Sequence, residues 1–343
     1  MNAPEEPPLY EELPGKAVHP RGRFKHVMAL ALNPLTHFDD GVIRCITSRE
    51  GDVAVSGFVD HSQLHLVSRS EDGTYEIGEP LCIENEDRMI GPLLPDGFEF
   101  LGLEDPDLAV DTNGELHLYC TVPLINRATG ESRIYLGHAH GPALSSLCMT
   151  EPVLGMPDRA AKEVTLAPAA SDGVHRHLVE SSAHGTEFSA YSTVRVAKAQ
   201  EAGPCWEFGE TIFHPAHRGI EWAAGHASPG PLLPRSFIDV GENKLLGFFN
   251  GREADRVDRE QVVFGMFSVG LFIYDYEHGE IPWVSSQPFI IDSEAETITF
   301  ASQFVETAPG EGILYAHVDD SFVRAYRITA EGLRRALPLE DAA

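Results

Sequence analysis

Short apolar runs separated by turn-forming clusters recur along the whole chain. His26-Val-Met-Ala-Leu-Ala-Leu, Gln63-Leu-His-Leu-Val, Glu115-Leu-His-Leu-Tyr-Cys-Thr-Val and Ser132-Arg-Ile-Tyr-Leu-Gly are typical. In several of them apolar and polar residues alternate, the period of a strand with two different faces. Helical periodicity is scarce, and 31 glycines and 24 prolines spread through the sequence would interrupt long helices repeatedly. Ser70-Glu-Asp-Gly, Asp111-Thr-Asn-Gly, Ala170-Ser-Asp-Gly and Val240-Gly-Glu-Asn supply turns between or beside the runs. The chain therefore reads as all-β. The pattern returns about every 40 to 60 residues, the period of propeller blades. The segments 24–78, 101–145, 162–200, 226–285 and 297–332 are the expected blades of a five-bladed β-propeller. Periodicity alone leaves a pair of β-sandwiches open, because the segments are not alike in sequence. Residues 1–22, rich in Pro and Glu, read as an extended arm without a core of its own. Residues 23–335 then form a single domain and 336–343 a tail.

Composition narrows the function classes. The 343 residues are 43% hydrophobic, enough for a large core. Net charge is −28, from 53 acidic and 25 basic residues. Such a surface repels phosphate backbones and anionic bilayers, so neither nucleic acid nor membrane is an expected partner. Cys45, Cys82, Cys120, Cys148 and Cys205 are odd in number, widely spaced and without a CxxC pair. That argues against a disulfide framework or a structural zinc site and for a reducing compartment. The first residues carry neither a basic nor an apolar signal region, and no apolar run approaches the roughly 18 residues of a membrane span. A cytoplasmic location is expected.

The most informative stretch for chemistry surrounds Pro106. Glu104, Asp105 and Asp107 crowd the start of an apolar run, and Pro106 is expected to keep Asp105 extended. Crowded carboxylates raise one another's pKa, which suits a general acid at neutral pH. An ordinary solvated acidic turn would read the same way. Sixteen histidines include the pairs His138/His140, His175/His177 and His214/His217. The first two have strand spacing that puts both rings on one face. No HExxH or other ligand motif accompanies them, so exposed strand histidines, and no metal, are expected. P-loop, dinucleotide and Gly-x-Ser-x-Gly signatures are absent, and no cofactor is implied.

Gly102-Leu-Glu-Asp-Pro-Asp resembles the Gly-x-Glu-Asp-Pro-Arg signature of glycoside hydrolase family 130, the mannoside phosphorylases and β-mannosidases. Further similarities run in the same order over about residues 30–330. Arg44 followed by Ser62-Gln-Leu-His-Leu-Val-Ser-Arg-Ser-Glu-Asp-Gly resembles the family's first blade. Lys162-Glu-Val-Thr-Leu-Ala-Pro resembles its Lys-Asn-x-x-Leu-Phe-Pro strand. Gly230-Pro-Leu-Leu-Pro, Lys244-Leu-Leu-Gly-Phe-Phe-Asn-Gly, Ser268-Val-Gly-Leu-Phe-Ile-Tyr-Asp-Tyr-Glu and Gly312-Ile-Leu-Tyr-Ala-His-Val-Asp-Asp resemble its C-terminal motifs.

The resemblance implies a five-bladed propeller that cleaves a β-mannoside or related oligosaccharide with inversion, Asp105 being the general acid. An inverting enzyme needs a second group roughly 6.5–9.5 Å away. Glu163, Glu180 and Glu221 are candidate bases, and Trp222 a sugar-stacking ring. Asn33, Arg44, Glu104, Asp107, Lys162, Glu180, Trp222, His226, Asn250, Arg252 and Asp320 are expected to line the substrate site. Asp107 stands where the family has Arg, and Asn250 where it has His. An acid at 107 repels a phosphate dianion, although Lys162, Arg252 or His226 would offset it. Hydrolysis is accordingly favoured over phosphorolysis, in which glycosyl transfer to phosphate releases a sugar 1-phosphate. A sugar-binding propeller without catalysis is a third reading, and another five-bladed glycosidase a fourth, in which Asp39 or Asp40 would be a first-blade base. Expected partners are an oligosaccharide or glycoside, inorganic phosphate in the phosphorylase reading, and a second copy of the chain in a homo-oligomer whose size the sequence leaves open.

Overall fold

The computed structural model describes residues 8–156, 159–183, 191–259 and 261–338. The strands group into five antiparallel units, of which the second has five strands and the third and fourth join through one parallel Ser192–His226 bridge into an eight-stranded sheet. The first comprises Val27–Leu32, Asp40–Glu50, Val59–Arg69 and Tyr75–Pro80. The second comprises Glu104–Val110, Leu116–Asn126, Glu131–Gly141 and Cys148–Met149, with Glu99–Phe100 also pairing onto Leu116–Asn126. The third runs through Lys162–Thr165, His175–Ala183, Tyr191–Ala199 and Glu207–Phe213. The fourth uses His226–Leu232, Lys244–Arg252, Phe267–Asp275 and Glu280–Val284. The last uses Thr299–Ala308, Glu311–Val318 and Phe322–Thr329, and its outer strand is Tyr10–Glu12 from the other end of the chain.

Apolar side chains on both faces of these sheets explain why they stack rather than sit singly against solvent. Five buried clusters each join two successive units. Val42 and Leu64 meet Leu108 and Leu116; Tyr119 and Leu136 meet Val179 and Ala197; Leu178 and Val194 meet Phe249 and Phe272. Phe248 and Leu271 then meet Leu314 and Tyr326, and Val305 and Val323 meet Ile43 and Val67, which returns the series to its start. The first strand of each unit touches the first strand of the next in the same closed order. This is a propeller layout in which the first strands surround a central channel.

The expected arm contributes more than its composition suggests. Tyr10–Glu12 pairs with Tyr326–Ile328, and Ala17 and Val18 are buried in the cluster between the last and first units. At the other end, the helix Ala330–Ala336 is capped by Thr329 and buries Leu333. Residues 1–7 and 339–343 lie outside the described residues. No helix among the described residues is long and apolar enough to cross a membrane. All five cysteines are unpaired.

Candidate active site

The channel is lined by residues that the first strands place at matching positions. Three successive first strands carry a register shift: between Met28 and Leu30, between Glu104 and Asp107, and between Lys162 and Val164. At each shift a non-glycine residue has left-handed backbone: Ala29 (φ 50°), Asp105 (φ 46°) and Glu163 (φ 49°). A bulge re-aims its side chain, and an L-residue held left-handed costs about 1–3 kcal/mol, so the surrounding sheet must enforce it. Asp105 is therefore not extended as Pro106 suggested; sheet pairing overrides the local preference. Gly102 makes the approach possible, because a Cβ there would lie 1.9 Å from the Ser62 carbonyl oxygen.

Asp105 and Glu163 open into one cavity of about 350 Å³. Arg44, Asp60, Glu104, Lys162, His226, Arg252, His317 and Asp320 share its wall. Arg44 donates to Asp105 Oδ1 at 2.8 Å, to Glu104 Oε1 at 2.6 Å and to Ser62 Oγ at 2.9 Å. Burial pushes Glu104 up to about 7, with Arg44 opposing and Asp105 adding to the rise. Burial, and then the negative charge of Asp105, hold Glu163 well above the ordinary carboxyl range. Asp107 faces a second, connected space of about 210 Å³ that also touches Asp105 and Glu163. Burial pushes Asp107 up to about 7 as well, opposed by the Leu108 amide.

Glu180, 1% exposed, stands behind the wall. It lies 3.2 Å from Lys162 Nζ and 2.9 Å from His226 Nε2, and accepts from Ser192 Oγ at 2.8 Å. Burial alone would raise its pKa, but His226 and Lys162 hold it well below the usual carboxylate range. Glu180 is thus an anchor for Lys162 and His226 rather than a free base. Arg252 is engaged by Asp255 at 2.9 Å and faces the Phe264 ring at 4.4 Å. Asp320, also left-handed (φ 47°), lies 3.2 Å from His317 Nε2, while His317 Nδ1 accepts the Ala29 amide. Arg49 grips Asp60 through two hydrogen bonds of 2.7–2.8 Å. Phe58, Phe264, Phe267 and Phe300 supply apolar wall.

Several expected site residues lie elsewhere. Glu221 is exposed in the short helix Glu221–Ala223 and does not line the cavity. Trp222 is 5% exposed, packs in the cluster between the third and fourth units, and donates its indole N–H to the Ser285 carbonyl. It offers no face to a sugar. Asn250, fully buried, bonds the backbone of Ala301 with both ends of its amide, joining the fourth and last units. Asn33 caps the turn Pro34–Thr36 and bonds Asp40, which makes Asp40 a turn residue too. Asp39 is half-paired with Arg69 at 3.8 Å on the surface. The histidines also differ from expectation. His138 and His177 are buried, because their rings pack in the inter-sheet layer beside Tyr119 and Trp206.

Asp60, Phe58, Phe264 and Phe300 line the cavity although nothing in their local sequence marks them, and His317 lines it from inside the 312–320 motif, which does not single it out. Val55 pairs with Val263, which brings a loop of the first unit against the hairpin Arg256–Asp258/Gln261–Val263 of the fourth at the cavity wall.

No family model and no curated protein sequence matches the chain. Solved structures do. A β-1,2-mannobiose phosphorylase from Listeria innocua, bound to β-1,2-mannobiose, aligns with a TM-score of 0.62 at 14% identity, covering 97% of this chain and 98% of that one. A glycosyl hydrolase from Bacteroides ovatus aligns at 0.63 with 14% identity, over 96% and 93% of the two chains. A mannose phosphorylase from Leishmania mexicana, in complex with phosphate, aligns at 0.50 with 15% identity, over 93% and 88%. At these identities the likeness establishes a shared fold, and the resemblance read from the motifs holds at that level.

Proposed function

We propose that the channel is the active site of an inverting glycoside hydrolase acting on a β-mannoside or related oligosaccharide. The observation that carries this reading is the pairing of Asp105 and Glu163. Both sit on left-handed bulges of successive first strands and both open into one cavity, Asp105 ion-paired with Arg44 and Glu163 held well above the ordinary carboxyl range by burial. Glycoside cleavage requires two carboxyl groups, one to give a proton and one to take it. The roles differ from the expectation that Asp105 is the acid. Glu163, held above the ordinary carboxyl range by burial, is assigned the proton that goes to the departing glycosidic oxygen, and Asp105, ion-paired with Arg44 at 2.8 Å, is assigned the part of base. Asp105 takes a proton from water as the water oxygen bonds the anomeric carbon and the carbon–oxygen bond breaks. The phenylalanine faces suit the apolar faces of a sugar ring.

Hydrolysis is preferred to phosphorolysis on charge. Among the described residues lining the cavity, Arg44, Lys162 and Arg252 are opposed by Asp60, Glu104, Asp105 and Asp320. Each of these three cations already has a carboxylate partner. The likeness to two phosphorylases, and the grouping of Lys162, His226 and Arg252, support phosphorolysis as the second reading.

Incubation with manno-oligosaccharides and aryl β-mannosides, with and without phosphate, followed by NMR of the products, tests the proposal. A free sugar released with inverted anomeric configuration in phosphate-free buffer is expected. Strict dependence on phosphate with release of a sugar 1-phosphate would replace hydrolysis by phosphorolysis, and binding without turnover would replace both by a sugar-binding role.

A further inference from the structure

The strand Glu104–Val110 carries Asp105 near one end, and Asp111 follows its other end, about 20 Å away at strand rise. There the turn Asp111–Glu115 leads into the strand that holds His117. Ligand atoms of Asp111, Glu115 and His117 all lie within 4.8 Å of one another. His117 is 5% exposed, and its Nε2 has no hydrogen-bond partner; Asp111 Oδ2 is 3.8 Å away.

A chain of ring contacts stands behind His117. Its Nδ1 lies 2.9 Å from His138 Nε2, and His138 Nδ1 lies 2.9 Å from Thr150 Oγ, whose hydroxyl also reaches the Glu151 carbonyl at 2.9 Å. With His117 Nδ1 engaged by His138, the buried and unpartnered Nε2 faces the Asp111 carboxylate. In the tautomer with the proton on Nδ1, a lone pair there opposes an anion, which is unfavourable unless a cation lies between them. The same chain is the outer-shell arrangement of metal-bound imidazole, which donates its second N–H to a neighbour. His140 Nδ1, 2.9 Å from Glu115 Oε1, steadies that carboxylate in the same manner.

We propose that Asp111, Glu115 and His117 hold a divalent transition-metal ion of the zinc class, with solvent completing the coordination. One imidazole with two carboxylates suits such an ion better than calcium or magnesium, which take oxygen ligands. Ligands roughly 2.0–2.2 Å from a common ion can be up to about 4.2 Å apart. The Asp111–His117 separation fits this, and the half-exposed Glu115 lies within 4.8 Å of both. The ion would tie the Asp111–Glu115 turn to the histidine row of the second unit, beside a groove of about 790 Å³ shared with the third. Its place is remote from Asp105 and Glu163, so it does not depend on the proposed hydrolysis.

Protein stripped with a chelator and titrated calorimetrically with Zn²⁺ tests the site. One equivalent should bind saturably and raise the melting temperature, and chelator should reverse the rise. Glu115→Gln, half-exposed, should leave the metal-free melting temperature unchanged and weaken binding by at least about tenfold, and His117→Gln should weaken it further. A His214→Gln/His217→Gln variant controls for the stacked surface pair, whose rings are 4.3 Å apart, and should bind as the wild type does. No saturable binding, binding unchanged in Glu115→Gln, or binding lost in the His214/His217 variant would overturn the proposal.

Discussion

Replacing Arg44 with methionine isolates the electrostatics that hold the Asp105 turn. The Arg44 side chain is 11% exposed, between Glu104 at 13% and Asp105 at 8%. Methionine keeps most of the volume but leaves two buried carboxyl groups without their cation. Removing one partner of a buried ion pair costs about 3–5 kcal/mol. Proton uptake by the folded chain caps that cost. Protonating an aspartate of ordinary pKa near 3.9 takes about 4 kcal/mol at pH 7 and about 1.5 kcal/mol at pH 5, at 1.36 kcal/mol per pH unit. The variant's folded state binds a proton that its unfolded state has lost above pH ~4, so its stability falls as pH rises. Urea unfolding followed by tryptophan fluorescence should therefore give a destabilisation of about 3–4 kcal/mol at pH 7, shrinking to about 1–2 kcal/mol at pH 5. A loss equal at both pH values would mean that packing, not charge, is what Arg44 supplies. A loss below about 1 kcal/mol at pH 7 would mean that the carboxylates do not need it.

Asp107 is raised to about 7 by burial with no cation bonded to it, so its ionised form costs stability above its unfolded pKa. Asp107→Asn should stabilise the protein by up to about 4 kcal/mol at pH 8 and by little at pH 4, read from urea midpoints at the two pH values. Glu180→Gln removes the charge that engages Lys162 and His226, leaving a more positive cavity. Inorganic phosphate should then inhibit turnover at roughly tenfold lower concentration, equivalent to ~1.4 kcal/mol, and an unchanged inhibition constant would count against the charge argument for hydrolysis. The proton on Glu163 is held by a pKa raised well above the ordinary carboxyl range, so kcat/KM should stay level through neutral pH and fall on the alkaline side. A profile already falling below pH 5 would assign the acid to an unperturbed carboxyl.

Strands were legible in the sequence because their apolar patterning is local. The expected blade 162–200 even starts where its first strand does, at Lys162. Closure of the ring was not legible, since Tyr10-Glu-Glu has no strand signature and becomes a strand only through pairing with Tyr326–Ile328. The Glu104–Asp107 turn and Lys162-Glu163 could be singled out because their charges are adjacent in sequence. Trp222 could not be placed, because its burial depends on Gly251 and Gly270, where any Cβ would lie 2.3–2.4 Å from the indole ring. Asn250 likewise depends on Ala301, in the next unit. Glu180 carries an ordinary strand context, and only Lys162 and His226, from two other strands, turn it into an anchor. The unpartnered Nε2 of His117 is set by the fold, with Nδ1 engaged by His138 on the neighbouring strand.

The central claim is that Asp105, on its bulge in the channel, does chemistry on a glycosidic bond. Steady-state turnover of Asp105→Asn against wild type, on whichever mannoside the wild type cleaves, tests it most directly. The substitution keeps the side chain's size, and circular dichroism and melting temperature establish that both proteins are folded. Loss of turnover by about 10²–10⁴-fold, with substrate binding retained, is predicted. A folded Asp105→Asn protein with wild-type turnover would contradict the account.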